Sequence, residues 1–324
     1  MHFESSVERL YMCMLKNRLV ICGNGFDAHH RLKTKYSDYR DFLDANYRDI
    51  KRSYENFPAL ADIGKGLWHN IEESLEIDYA SYFDDAVTND YPDIMNDESD
   101  SRWDNMWINM EVELEFIKSF TGKCFYDFLS ALSFDEISKT SIVKRFITQR
   151  TKFVTFNYTE TLEKIYGVTT DRVLHIHGSL NNLPYNCDDS EVIRKEIQFG
   201  AVEINATDVE REIEGKYEYD DFYGVTIRPT LTQLVGFIEK STKSLHGNVP
   251  KLLQFVSDAK IDEVVVMGHS LLCADELYYR EVLIPRFKNK KWIFMNYKKD
   301  PDCIDEIERF IKKYNLKRTK IIDW

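Results

Sequence analysis

Five short runs rich in β-branched and aromatic residues limit the folds open to this chain: Leu19 to Cys22, Phe153 to Phe156, Val173 to Ile176, Val264 to Met267 and Trp292 to Met295. Each has the length of a strand and none alternates cleanly between apolar and polar side chains, the pattern of a sheet covered on both faces. Between them apolar residues recur at threes and fours. One such series is Tyr36, Tyr39, Phe42, Leu43, Tyr47 and Ile50; a second is Trp103, Met106, Trp107, Met110, Leu114 and Ile117; a third is Ile304, Ile307, Phe310, Ile311 and Tyr314. Strands alternating with helices predict an α/β fold built on a Rossmann-like parallel sheet. The first two runs stand much further apart than one crossover requires, so a helical insertion or cap over 45–150 is expected within a single domain spanning 1–324. The polar stretch Asn96 to Asp104 reads as an exposed loop. From Pro184 to Pro229 the chain reads as irregular, either a lid or a plain excursion, with Asp188, Asp189, Glu191, Asp220 and Asp221 along it.

Charge narrows the function. With 55 acidic against 43 basic side chains the formal charge is -12, which repels the phosphates of a nucleic-acid duplex. The nearest approach to a basic cluster, Lys288, Lys290 and Lys291, falls where a solvated turn is expected, so no nucleic-acid partner is predicted. The six cysteines, Cys13, Cys22, Cys124, Cys187, Cys273 and Cys303, lack C-x-x-C spacing and read as free thiols of a reducing cytoplasm. Lys16, Asn17 and Arg18 interrupt the apolar residues of Leu10 to Leu15 and Leu19 to Cys22, so neither a signal-peptide core nor a membrane span is expected there.

The chemistry-bearing residues gather at the ends of the predicted strands. The first leads into Gly23-Asn24-Gly25-Phe26-Asp27-Ala28, which fits G-x-G-x-x-G/A. Glycine suits that place because a tight turn and close approach of backbone N–H groups to a pyrophosphate leave no room for a β-carbon. An ordinary dehydrogenase half would carry an acidic residue after a second strand about 20 positions on. Here Asp38, Asp41 and Asp44 all fall in a helical period.

The second strand ends in Phe156-Asn157-Tyr158-Thr159, where Asn157 either points into the ligand crevice or caps the next helix. The third ends in His175-Ile176-His177-Gly178. Alternation predicts both imidazoles on one face, and His177 is the best candidate for a general base. No Cys, Asp or Glu stands at ligand spacing from them, so no metal is expected. The fourth leads to Gly268-His269-Ser270-Leu271-Leu272, which is similar to the nucleophile elbow G-x-S-x-G. Leu272 replaces the last glycine and no histidine follows Ser270, which excludes the serine hydrolase of that fold and leaves Ser270 suited to phosphate or ribose contacts. The fifth ends at Asn296, at a crevice edge or in a simple turn.

Together, GNGFD at Gly23 to Asp27, LKTKYSDYRDF at Leu32 to Phe42, FNYT at Phe156 to Thr159, His177-Gly178, and GHSL at Gly268 to Leu271 followed by Asp275 resemble the AbiH family of phage abortive-infection proteins. Trp107 and Glu111 resemble that family's W-x-x-x-E helix. The likeness covers nearly the whole chain and is weakest over 50–100 and 184–230. AbiH proteins are in turn similar to the sirtuin-like superfamily. That relation implies NAD held by Gly23, Asn24, Gly25, Asp27, Thr159, Gly268, Ser270 and Asn296, with Asn157 and His177 acting at the nicotinamide ribose. Thr159 stands where a sirtuin carries an aspartate, and there is no four-cysteine zinc module, so the likeness is closer to NAD hydrolases of phage defence than to deacetylases. It implies a cytoplasmic effector that hydrolyses NAD at the nicotinamide–ribose bond. The alternative is a non-catalytic module sensing NAD or an ADP-ribose-like nucleotide. A phage-derived trigger and assembly into identical copies are compatible with either.

Overall fold

A computed structural model describes residues 16–90, 105–202, 204–219, 224, 227–297 and 300–324. Every run read as a strand is one: β1 (Arg18–Cys22), β2 (Thr151–Thr155), β3 (Val173–His175), β4 (Glu263–Met267) and β5 (Lys291–Asn296), joined by a sixth, β6 (Thr319–Asp323). They form one sheet in the order β3-β2-β1-β4-β5-β6, with every neighbouring pair parallel. This is the Rossmann order, and its topological switch point lies between β1 and β4. The helices that set the site are α1 (Asn24–His29), α2 (Thr161–Tyr166), α3 (Leu245–Ser257), α4 (Glu276–Tyr278), α5 (Ile284–Phe287) and α6 (Pro301–Tyr314), with a π-helical turn, Tyr279–Leu283, between α4 and α5.

All five residues of β1 and of β4 are buried, as strands covered on both sides must be. Val20, Cys22, Phe153, Val173, Val265, Met267, Ile293 and Met295 share one core with Phe26 of α1 and Leu162 of α2. The alternate residues Trp292 and Phe294 lie against Phe310 of α6, and Trp292 also meets Tyr279. Burial of a side chain of this size stabilises by about 1.5–3 kcal/mol. β6 has no buried residue and keeps lysine and aspartate along its length, as an edge strand does.

The described residues divide into two compact units: those from 16 to 35, from 129 to 183 and from 245 onward carry the sheet, and those between 36 and 128 and between 184 and 244 make the other. The second is helical, with Tyr36–Asn46, Arg48–Asn56, Tyr79–Asp90, Asn105–Thr121 and Arg228–Ser241 among its elements. At its centre Tyr39 and Tyr54 pack on Phe120, and the Tyr39 hydroxyl donates to the Phe120 carbonyl at 2.5 Å. The stretch read as irregular contributes two helices to this unit, Ser190–Glu196 and Ala206–Tyr217. Asp189, read as a loop acid, caps the first by accepting from the N–H groups of Glu191 and Val192. The loop 96–104, Leu10 to Leu15 with Cys13, Trp103, Asp220 and Asp221 lie outside the described residues. Among the described residues no helix is long and apolar enough to cross a membrane.

Candidate functional site

The site is built at the carboxyl ends of β1, β2, β3 and β4, and its first layer is backbone. Gly23 N–H donates to the Met267 carbonyl at 3.1 Å and Gly25 N–H to the Gly268 carbonyl at 2.8 Å, tying the turn after β1 to the turn after β4. Gly268 has φ +62°, and a β-carbon there would stand 2.4 Å from Gly25 C and Phe26 N. A β-carbon on Gly25 would stand 2.7 Å from Gly268 Cα. The glycine pattern thus serves an approach of backbone to backbone. The N–H group of Gly25, expected at a pyrophosphate, is bonded to the Gly268 carbonyl, and that of Phe26 to the Gly23 carbonyl.

A buried polar layer supports that turn. Asn157 donates through Nδ2 to the Gly23 carbonyl at 3.0 Å. It does not cap α2, whose N-cap is Glu160, because the helix begins only at Thr161. Asp27 is 1% exposed and accepts from Thr159 Oγ1 at 2.5 Å and Thr161 Oγ1 at 2.7 Å. Asp27 and Thr159, both expected at a cofactor, are therefore bonded to each other. Burial pushes the Asp27 carboxyl up to about 6, against the pull of the two threonine hydroxyls.

The sign of the resulting pH dependence is definite. The folded chain keeps the Asp27 proton to about 6 while the unfolded chain releases it near 3.8, so this group's favourable contribution is full below 3.8 and lost as the pH rises past 6. The loss is on the order of 3 kcal/mol. Asp27→Asn, with no charge to desolvate, is expected to gain stability relative to the wild type between about pH 4 and about pH 7. Thermal unfolding of both proteins across that range checks it; parallel curves would show that the Asp27 carboxyl titrates at the same pH in the folded and unfolded chain.

The two strand-end histidines diverge, contrary to the expectation from alternation. β3 stops at His175 and the chain turns, with Gly178 N–H donating back to the His175 carbonyl. Alternation holds only while the strand continues. His175 pairs through Nε2 with Glu163 Oε1 of α2 at 2.9 Å. His177 turns instead to Asp275, with Nε2 2.9 Å from Oδ1. The other oxygen of that carboxylate lies 3.6 Å from Nε2 of His269, whose Nδ1 meets the Tyr279 hydroxyl at 3.1 Å. Phe156 fills the space between the imidazoles, its ring centroid 5.6 Å from that of His177 and 3.8 Å from that of His269. His177, His269 and Asp275 have side chains 1%, 4% and 14% exposed. The π turn places Tyr279 at His269 while the preceding Tyr278 packs beside His177, and burial raises the Tyr279 hydroxyl well above its ordinary value.

Three expected ligand-binding residues have other partners. Ser270 Oγ donates to Glu306 Oε1 of α6 at 2.9 Å. Asn296 donates through Nδ2 to Asp323 of β6 at 3.2 Å, and its buried Oδ1 has no hydrogen-bond partner among the described residues. Asn24 exchanges hydrogen bonds with Thr34 at the surface. Sequence reasoning did not single out Asp275, His269 or Glu306 as site residues. The available signal was that His269 and Asp275 stand within and just after the GHSL motif.

Among the described residues no group of three or more His, Cys, Asp or Glu side chains is placed to hold a metal ion. No curated protein matches the chain. The family model described as bacteriophage abortive infection AbiH matches residues 19–297, which takes in β1 through β5, both glycine turns and the His177–Asp275 pair, and the chain therefore belongs to the AbiH family.

Proposed function

We propose that the chain is an abortive-infection effector that takes an NAD-type dinucleotide at the carboxyl edge of its sheet and hydrolyses the nicotinamide–ribose bond. The observation that carries this reading is the His177–Asp275 pair beside the β1/β4 switch point, where open α/β sheets receive ligands. With Nε2–H donated to Asp275, the basic pole of the neutral His177 ring is Nδ1. In the reaction the C1′–N bond breaks with its electron pair leaving on nicotinamide. Water oxygen bonds to C1′ and its proton passes to His177, whose imidazolium Asp275 stabilises. Asn157 contributes by fixing the Gly23 carbonyl and hence the turn under the substrate. Nicotinamide release from NAD by the purified full chain is the test, and NAD that binds but stays intact rejects hydrolysis. One observation favours a binding module without turnover: the His177 side chain that would take the proton is 1% exposed and its Nδ1 is buried. Calorimetric binding of ADP-ribose without nicotinamide release would select that second reading.

A further inference from the structure

We propose that the turn after β4 is an anion-binding site whose resident occupant is the chain's own Glu306, so that an incoming phosphate must displace this carboxylate. Three donors converge on the single oxygen Glu306 Oε1: Ser270 Oγ at 2.9 Å, Leu271 N–H at 2.6 Å and Leu272 N–H at 3.0 Å. Two consecutive backbone N–H groups aimed at one point with a hydroxyl beside them form a concavity that suits phosphate oxygens as well as carboxylates. Such charge-assisted hydrogen bonds are about twice as strong as neutral ones. The turn starts at Gly268, at the switch point of the sheet, and Ser270 is exposed, so an anion from solvent can reach the donors. The occupant comes from α6, which is 36 residues further along the chain and is not part of the turn. An effector that arrests its host must stay silent until triggered, and a carboxylate in the anion site provides that restraint. That the displacing phosphate belongs to a dinucleotide rests on the function proposed above; the occupied site itself does not.

The experiment uses the full chain and inorganic pyrophosphate as the probe, with affinity read by calorimetry. Emptying the site in Glu306→Ala is expected to tighten pyrophosphate binding at least about tenfold, because the competent form no longer has to be opened first. Adding Ser270→Ala to that variant should remove most of the gain. Glu306→Gln, which keeps the shape and loses the charge, should shift affinity in the same direction by less and covers the case in which the alanine variant does not fold. Affinities within about twofold of the wild type in whichever of these variants folds would overturn the proposal. The two readings separate in a parallel assay. Nicotinamide release that is equal in wild type and variant, with no gain in pyrophosphate affinity, removes the restraint and leaves the hydrolase. A gain in pyrophosphate affinity with no nicotinamide release from any variant keeps the restraint and removes the hydrolase.

Discussion

Asp275→Asn is expected to lower nicotinamide release by about a hundredfold to ten-thousandfold, in kcat more than in KM, with the fold intact. The carboxylate does two things for His177. It accepts Nε2–H at 2.9 Å, which fixes the tautomer with Nδ1 basic, and it stabilises the imidazolium that forms when the proton arrives. An asparagine keeps the volume, but its amide N–H₂ can donate to Nε2, which selects the other tautomer and leaves no basic nitrogen for water. His177→Ala should cost activity to a similar extent. It also leaves the Asp275 carboxylate, with a side chain 14% exposed, short of one partner, at about 1–3 kcal/mol of stability, so the asparagine variant is the cleaner test. The double variant should be little worse than either single one, since the two groups act as a unit. Turnover at the wild-type level in Asp275→Asn would remove the pair from the mechanism.

What the sequence made legible, and what it did not, follows from the range over which each signal acts. β1, β2, β4 and β5 are local and almost wholly buried, and β3, at the other edge, still opens on the apolar pair Val173 and Leu174, so short apolar runs reveal all five. β6, written Thr-Lys-Ile-Ile-Asp, lies at the edge with no buried residue, so only two of its residues are apolar. The helices at Ser190–Glu196 and Ala206–Tyr217 are dominated by charged residues and bury few side chains, which hides their period among acids that read as loop. At the site, the glycine turns and Asn157 were visible as strand-end residues, but their partners were not. Gly25 meets Gly268, Asp27 meets Thr159 and Thr161, and His177 meets Asp275 across 98 positions. Sequence spacing carries no information on such pairs; the strand order creates them. For the same reason the glycines could be recognised as a close approach of backbone while the object approached, another turn of the same chain, could not.

Gly268→Ala is expected to destabilise the protein by on the order of 4 kcal/mol, from a left-handed residue that acquires a β-carbon and from a collision that backbone must absorb. Gly268 has φ +62°, and its added carbon would stand 2.4 Å from Gly25 C and Phe26 N, with no flexible side chain to yield. Relief requires the turns after β1 and β4 to separate, which strains the 2.8 Å bond from Gly25 N–H to Gly268 O and loosens the carbonyl of Gly23 that Asn157 holds. Gly25→Val meets the same obstacle from the other side, at 2.7 Å from Gly268 Cα, so its first effect should be on the fold. Weaker dinucleotide binding in that variant would therefore not locate a pyrophosphate. Because one separation of the turns relieves both collisions, the double variant Gly25→Ala with Gly268→Ala should lose less stability than the sum of the single losses. Gly215, inside Ala206–Tyr217 with nothing within 4 Å of an added β-carbon, supplies the control: Gly215→Ala should stabilise by up to about 1 kcal/mol through helix propensity. Denaturant unfolding of these variants, with Gly25→Ala alone to complete the comparison, decides the matter. A Gly268→Ala protein as stable as the wild type would mean that the two turns are not locked together, and the glycine pattern would again need a ligand to account for it.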